Sequence, residues 1–139
     1  MKFVLFAGFF LLAFSSLSAQ QARDTASVSL IDTYPQFKGG LQGWNRFVQQ
    51  EMNLRKVVNA MDSAAYVDYG FRQTALLEFT VCEDGTVCEI DIVNKDKISP
   101  EFAEEAIRIM KRSPKWTPAS KNGKGIKTRF KQSIVAVLD

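Results

Sequence analysis

The sequence predicts an α+β domain, a small antiparallel sheet of about three strands with a long C-terminal strand, packed on two or more helices. Three observations predict it. Apolar residues recur at helical spacing over residues 41–53 and again after Ser99-Pro100. Apolar and polar residues alternate over residues 74–82 and 125–138, as in strands with one buried face. Between the first strand and its return stands Asp84-Gly85, a strong short-range hairpin signal. The resulting order is helix, strand, hairpin, strand, helix, long strand.

In the first helix Leu41, Trp44, Phe47, Val48 and Met52 form the apolar stripe, with Gln and Asn between them. Residues 54–61 either continue it or start a second helix, and residues 62–70, with Tyr66 and Tyr69, carry no clear period. Leu77, Phe79 and Val81 alternate with Glu78 and Thr80 in the first strand. In the returning strand, residues 86–94, Val87 breaks parity with Ile90 and Ile92. This predicts a bulge near Cys88-Glu89 or one residue turned outward. Ser99 offers a capping hydroxyl and Pro100 a pre-set first helical position. Glu101, Glu104 and Glu105 then lie at the positive end of that helix, which predicts dipole complementarity on a solvated face. Phe102, Ala106, Ile109 and Met110 make its apolar stripe, and Pro114 ends it. Residues 114–118, proline at both ends, read as a stiff connector and Asn122-Gly123 as a turn. In the last strand Ile126, Thr128, Phe130, Ile134, Ala136 and Leu138 take one face and Lys127, Arg129 and Lys131 the other.

With 139 residues the chain has room for a single domain with one core. Hydrophobic content of 46% and charged content of 24% are those of an ordinary globular protein, which excludes disordered and collagen-like classes. The net charge of +3 is spread along the chain rather than gathered into a nucleic-acid patch. Histidine is absent from the sequence, which removes the commonest general base and metal ligand.

The N-terminus sets the expected location. Lys2 precedes an apolar run over residues 3–14, followed by Ser15, Ser16, Leu17, Ser18 and Ala19. This is the pattern of a secretory signal peptide, residues 1–19, cleaved near Ala19, and it predicts a periplasmic protein. An uncleaved anchor is the alternative, but the apolar run rises only about 18 Å as a helix against a bilayer core of about 30 Å. Residues 20–33 read as a flexible tail and residues 34–139 as the folded domain. Removing Lys2 leaves too small an excess of positive charge to argue for a membrane surface.

Several of these segments also carry a family likeness. Pro35-Gln36-Phe37-Lys38-Gly39-Gly40 resembles the entry to TonB C-terminal domains, and Phe79-Thr80-Val81 with Asp84-Gly85-Thr86-Val87 resembles their first hairpin. Glu105-Ala106-Ile107-Arg108, the Pro114–Pro118 connector around Trp116, Asn122-Gly123-Lys124, and Arg129-Phe130 with Ile134 resemble the helix, connector, turn and last strand that follow. The likeness runs over residues 34–138. The chain departs from the family at Gln73, where a glycine is common, at Ala103, where an acid is common, and near Leu54, where a tyrosine-proline pair is common. The resemblance implies a non-catalytic domain, and part of its expected role is to bind an extended segment of an outer-membrane receptor by adding a strand. The chain reads without the full anchor and proline-rich linker of a working transducer, so binding without the motor is expected.

The last strand is then the candidate site: Lys127, Arg129, Phe130, Lys131, Gln132, Ser133, Ile134 and Val135. At a sheet edge its backbone groups would template an added strand, and its cations would discourage indiscriminate pairing and favour an acidic segment. The same edge could pair with a second copy, making a homodimer or an adaptor in an envelope complex. Catalytic residues, a metal site and cofactors are not expected, because no serine, lysine or glycine pattern forms a nucleophile or phosphate motif. Cys82 and Cys88 are a candidate disulfide in an exported chain. Free thiols remain the alternative, since diagonal positions in a hairpin stand about 7–8 Å apart. Trp116 reads either as a core residue or as a ligand-stacking one.

Overall fold

The computed structural model describes residues 31–139; the segment expected to be a signal peptide and most of the expected tail lie outside the described residues. Helix α1 spans Gly40–Glu51 and buries Trp44 and Val48. It ends where Asn53 caps a new helix, α2 (Leu54–Ala60), by accepting the Lys56 N–H at 3.0 Å. Residues 54–61 are therefore a second helix, not a continuation of the first. A third helix, α3 (Ser63–Tyr69), fills the stretch that carries no clear period in sequence. Asp62 caps it by accepting the Ala65 N–H, and Gly70, at φ +75°, ends it. This helix buries no residue fully, which is why it shows no apolar stripe.

Strand β1 (Arg72–Val81) forms the middle of a three-stranded antiparallel sheet in the order β2-β1-β5, where β2 is Val87–Ile92 and β5 is Thr128–Val137. The register of β1 against β2 shifts between Thr80 and Val81. Cys88 is the extra residue, so the expected bulge is present and Val87 rejoins Ile90 and Ile92 on the core side. A single turn of 3₁₀ helix (Lys95–Lys97) leads to α4 (Pro100–Lys111), which Ser99 caps by accepting the Phe102 N–H at 3.2 Å. A small hairpin, β3 (Ala119–Lys121) and β4 (Lys124–Ile126), turns at Asn122-Gly123. The expected long strand from residue 125 is thus two elements, broken at Lys127, because β4 pairs with β3 while β5 pairs with β1.

The core lies on one face of the sheet. Leu77, Phe79 and Val81 from β1, Ile134 and Ala136 from β5, Phe102, Ala106, Ile109 and Met110 from α4, and Trp44, Phe37 and Trp116 are buried together. Trp116 is a core residue. Its ring centroid is 5.1 Å from Phe79, 5.3 Å from Phe37 and 5.6 Å from Trp44. Gln73, the residue standing where the resembled family has glycine, is also buried. Its side chain accepts the Ser99 N–H at 2.8 Å and donates to the Gly70 carbonyl, so it ties the start of β1 to the start of α4.

Glu105 corrects the expectation of a solvated acidic face on α4. It is 2% exposed and accepts from the Asn53 N–H at 2.8 Å and from both Nε and an Nη of Arg108. Arg108 also donates to the Glu51 carbonyl, and Arg112 pairs with the Glu51 carboxylate at 2.8 Å. One buried carboxylate therefore holds the α1–α2 junction on α4. Its neighbours select for the charged form: the Arg108 hydrogen bonds hold the Glu105 carboxyl below its ordinary range, against the opposing effect of burial.

Candidate functional site

Among the described residues strand β5 lies at the edge of the sheet, with β1 on one side only. The Leu138 N–H donates to the Phe71 carbonyl at 2.7 Å. In antiparallel alternation this sends the backbone groups of even-numbered β5 residues toward β1 and those of Arg129, Lys131, Ser133, Val135 and Val137 to the open edge. The side chains follow the same period: Ile134 and Ala136 are buried and Phe130 is half-buried against the core, while Arg129, Lys131, Ser133, Val135 and Val137 are exposed.

The other edge of the sheet is built differently. Strand β2 is six residues long and bulged, and the Asp91 carboxylate accepts the outward Ile92 N–H at 2.9 Å. Lys95 sits on the same carboxylate at 2.7 Å, and its hydrogen bond holds Asp91 below the ordinary aspartate range. A short, bulged and self-capped strand is a poor template for pairing, whereas β5 is ten residues long and regular.

Among the described residues three hollows lie between α1 and β5 along the open edge. One of about 340 Å³ is bounded by Pro35, Leu41, Trp44, Trp116, Phe130 and Gln132. The next, about 220 Å³, lies between Asn45, Gln49 and Ser133 to Val135. The third, about 380 Å³, is lined by Met52, Leu54, Val135 and Val137 among others. At the centre of the row the Trp44 indole N–H donates to the outward carbonyl of Ser133 at 3.2 Å. A fourth hollow, about 420 Å³, lies off the edge between Lys38, Arg46 and Pro114.

The sequence-derived site residues all fall on or next to this edge. Phe130, Gln132 and Ile134 have their backbone bonds engaged by β1, and Lys127 stands in the break before β5. The cations are partly neutralised within the sheet. Arg129 pairs with Glu78 at 3.0 Å and Glu89 at 3.4 Å, and Lys131 with Glu78 at 3.7 Å. Among the described residues Lys127 makes no ion pair. Sequence reasoning placed Trp44 in the core, which is correct, but gave no sign that its N–H reaches the edge. Leu41, read in sequence as part of the apolar stripe, is exposed at the groove, and Leu54 and Val137 were not singled out because an exposed apolar side chain carries no period of its own.

At the far end of the β1–β2 hairpin, Cys82 and Cys88 have their sulfurs in bonding contact and their Cα atoms 6.1 Å apart. That is inside the disulfide range and closer than the usual diagonal pair, and it coincides with the register shift at Cys88. Asp84 sits in the tip and accepts from the Thr86 hydroxyl and amide, which hold it below the ordinary aspartate range. No helix among the described residues is long and apolar enough to cross a membrane.

The fold and its site define a class: an α+β domain whose sheet has one capped edge and one open edge lined by a groove. Residues 73–135 match the family described as Gram-negative bacterial TonB protein C-terminal, and this supports the sequence resemblance over that stretch. The Pro35–Gly40 entry segment lies before the matched residues. No curated protein and no solved structure gives a match to the chain.

Proposed function

We propose that this protein is a non-catalytic binding module of the cell envelope, exported to the periplasm, that accepts an extended segment of an outer-membrane receptor as an added strand along β5. The observation that carries the reading is the open β5 edge: a regular ten-residue strand with outward backbone groups at five residues, of which the Ser133 carbonyl is already held by Trp44, in a chain that matches the TonB C-terminal family over residues 73–135. Main-chain pairing supplies affinity, and the groove beside α1 receives alternate side chains of the ligand. Lys127 and the half-exposed Lys131 favour an acidic residue at that end of the segment. A role in TonB-dependent transport follows from the same reading.

The test is a titration of the isotope-labelled protein with peptides from the N-terminal segments of outer-membrane receptors of the host, followed by backbone amide shifts. Strand addition requires the largest shifts at Arg129, Lys131, Ser133, Val135 and Val137. No shift with any such peptide, together with a mass that rises with concentration, would replace the receptor reading with that of a homodimerising adaptor.

A further inference from the structure

We propose that Cys82 and Cys88 are bridged in the exported protein and that the bridge is a redox-sensitive clamp, holding the hairpin tip against the Trp116 connector and through it the β5 edge. Four observations lead there. The two cysteines close a short loop, with Cys88 the unpaired residue of the bulge. Within that loop Gly85 is buried, and its carbonyl accepts the Trp116 N–H at 2.8 Å. The fit is close on both sides, since a Cβ at Gly85 would collide with the Trp116 carbonyl. Finally, the Trp116 ring packs on Trp44 and Phe130, and Trp44 donates to the outward carbonyl of Ser133.

The contacts thus run without a gap from the disulfide to the middle of the binding edge. A bulged hairpin tip loses ladder hydrogen bonds at the extra residue, and a covalent link there restores the order that the ladder lacks. Cys88 is exposed and Cys82 half-exposed, so an external thiol can reach the bridge. The reaction is thiol–disulfide exchange with a dithiol reductant of the envelope. One reductant thiolate attacks a bridge sulfur and breaks the S–S bond. The second reductant thiol then resolves the mixed disulfide. Two electrons and two protons pass to Cys82 and Cys88, which become thiols, and the reductant becomes a disulfide. The predicted consequence for ligand binding rests on the strand-addition reading; the structural coupling does not.

The experiment compares the full protein isolated from the oxidising compartment, the same protein treated with dithiothreitol, and the double variant Cys82→Ser/Cys88→Ser. Mass after alkylation should find no free thiol in the untreated protein and two after treatment. Hydrogen exchange at the Trp116 amide should quicken by about tenfold or more in the reduced and doubly substituted forms. The Trp44 indole N–H and Ser133 resonances should shift with it, while the amides of α4 keep their protection. Two alkylatable thiols in the untreated protein would overturn the proposal, as would changes confined to residues 82–88. If the edge resonances respond but no receptor peptide binds in either state, the clamp stands and the receptor reading falls.

Discussion

Single residues carry constraints that no neighbour can relieve, and Gly85 is the sharpest. Its φ of +87° lies where side chains are strained, and the space a Cβ needs is held by the Trp116 carbonyl. Gly85→Ala should destabilise the domain by about 2–3 kcal/mol, read as a lower denaturant midpoint with an unchanged slope. Gly123, also at positive φ but with open space around it, is the control and should lose less. Trp44 joins packing to polarity in one side chain. Trp44→Phe removes the donor to Ser133 and part of the buried volume. A loss of about 1–2 kcal/mol is expected, with a shift of the Ser133 carbonyl carbon that a merely structural change elsewhere would not produce.

Elements differ in what they demand of their backbone, and β5 shows it most directly. Its odd residues turn their N–H groups to the open edge and its even residues turn theirs to β1. Val135→Pro should therefore be tolerated with only a small loss of stability, yet should abolish strand addition, because it removes an outward donor. Ile134→Pro removes a ladder bond and buried packing, and should unfold the sheet. Circular dichroism with peptide titration separates the two; a Val135→Pro variant that still binds fully would speak against β5 as the binding edge. The α1–α2 junction makes a different demand. Glu105 has a folded-state pKa below its ordinary value of 4.5, so its contribution to stability is present above that value and is lost as pH falls through the lower folded value. Glu105→Gln leaves Arg108 without its buried partner and should cost about 2–3 kcal/mol near neutral pH. It should also flatten the acid limb of the stability curve, measured as thermal midpoint against pH.

Among the described residues helices cover one face of the sheet, β2 closes one edge, and β5 is left open beside a groove. Self-pairing of two β5 edges about a two-fold axis at Ser133 sets Arg129 opposite Val137 and Lys131 opposite Val135. An axis nearer the start of the strand sets cation against cation. The second arrangement is unfavourable and the first gains no cross-strand ion pair. Sedimentation at physiological salt should therefore show a monomer, and a concentration-dependent mass would support the dimerising alternative.

Much of this was legible in the residues. Asp84-Gly85 specified the hairpin, the broken parity at Val87 left a bulge or an outward residue as the two readings, and Ser99-Pro100 marked the start of α4, because each is a local preference acting over a few bonds. The alternation over residues 128–138 likewise named the inward and outward residues of the last strand. Other features were not legible. Helix α3 shows no apolar stripe and is not assigned from the sequence; its Asp62 cap and Gly70 stop were signals in the sequence that went unread. The break at Lys127 arises because β4 and β5 choose different partners, which no local pattern records. Glu105 reads in sequence as one of three similar acids, and only the approach of Asn53 and Arg108 makes it a buried clamp. That β5 lies at the edge, with Trp44 over its centre and Cys82 beside Cys88, was decided by tertiary structure. Strand order and groove walls depend on contacts between residues distant in the chain, whereas turns, caps and periodicity depend on neighbours.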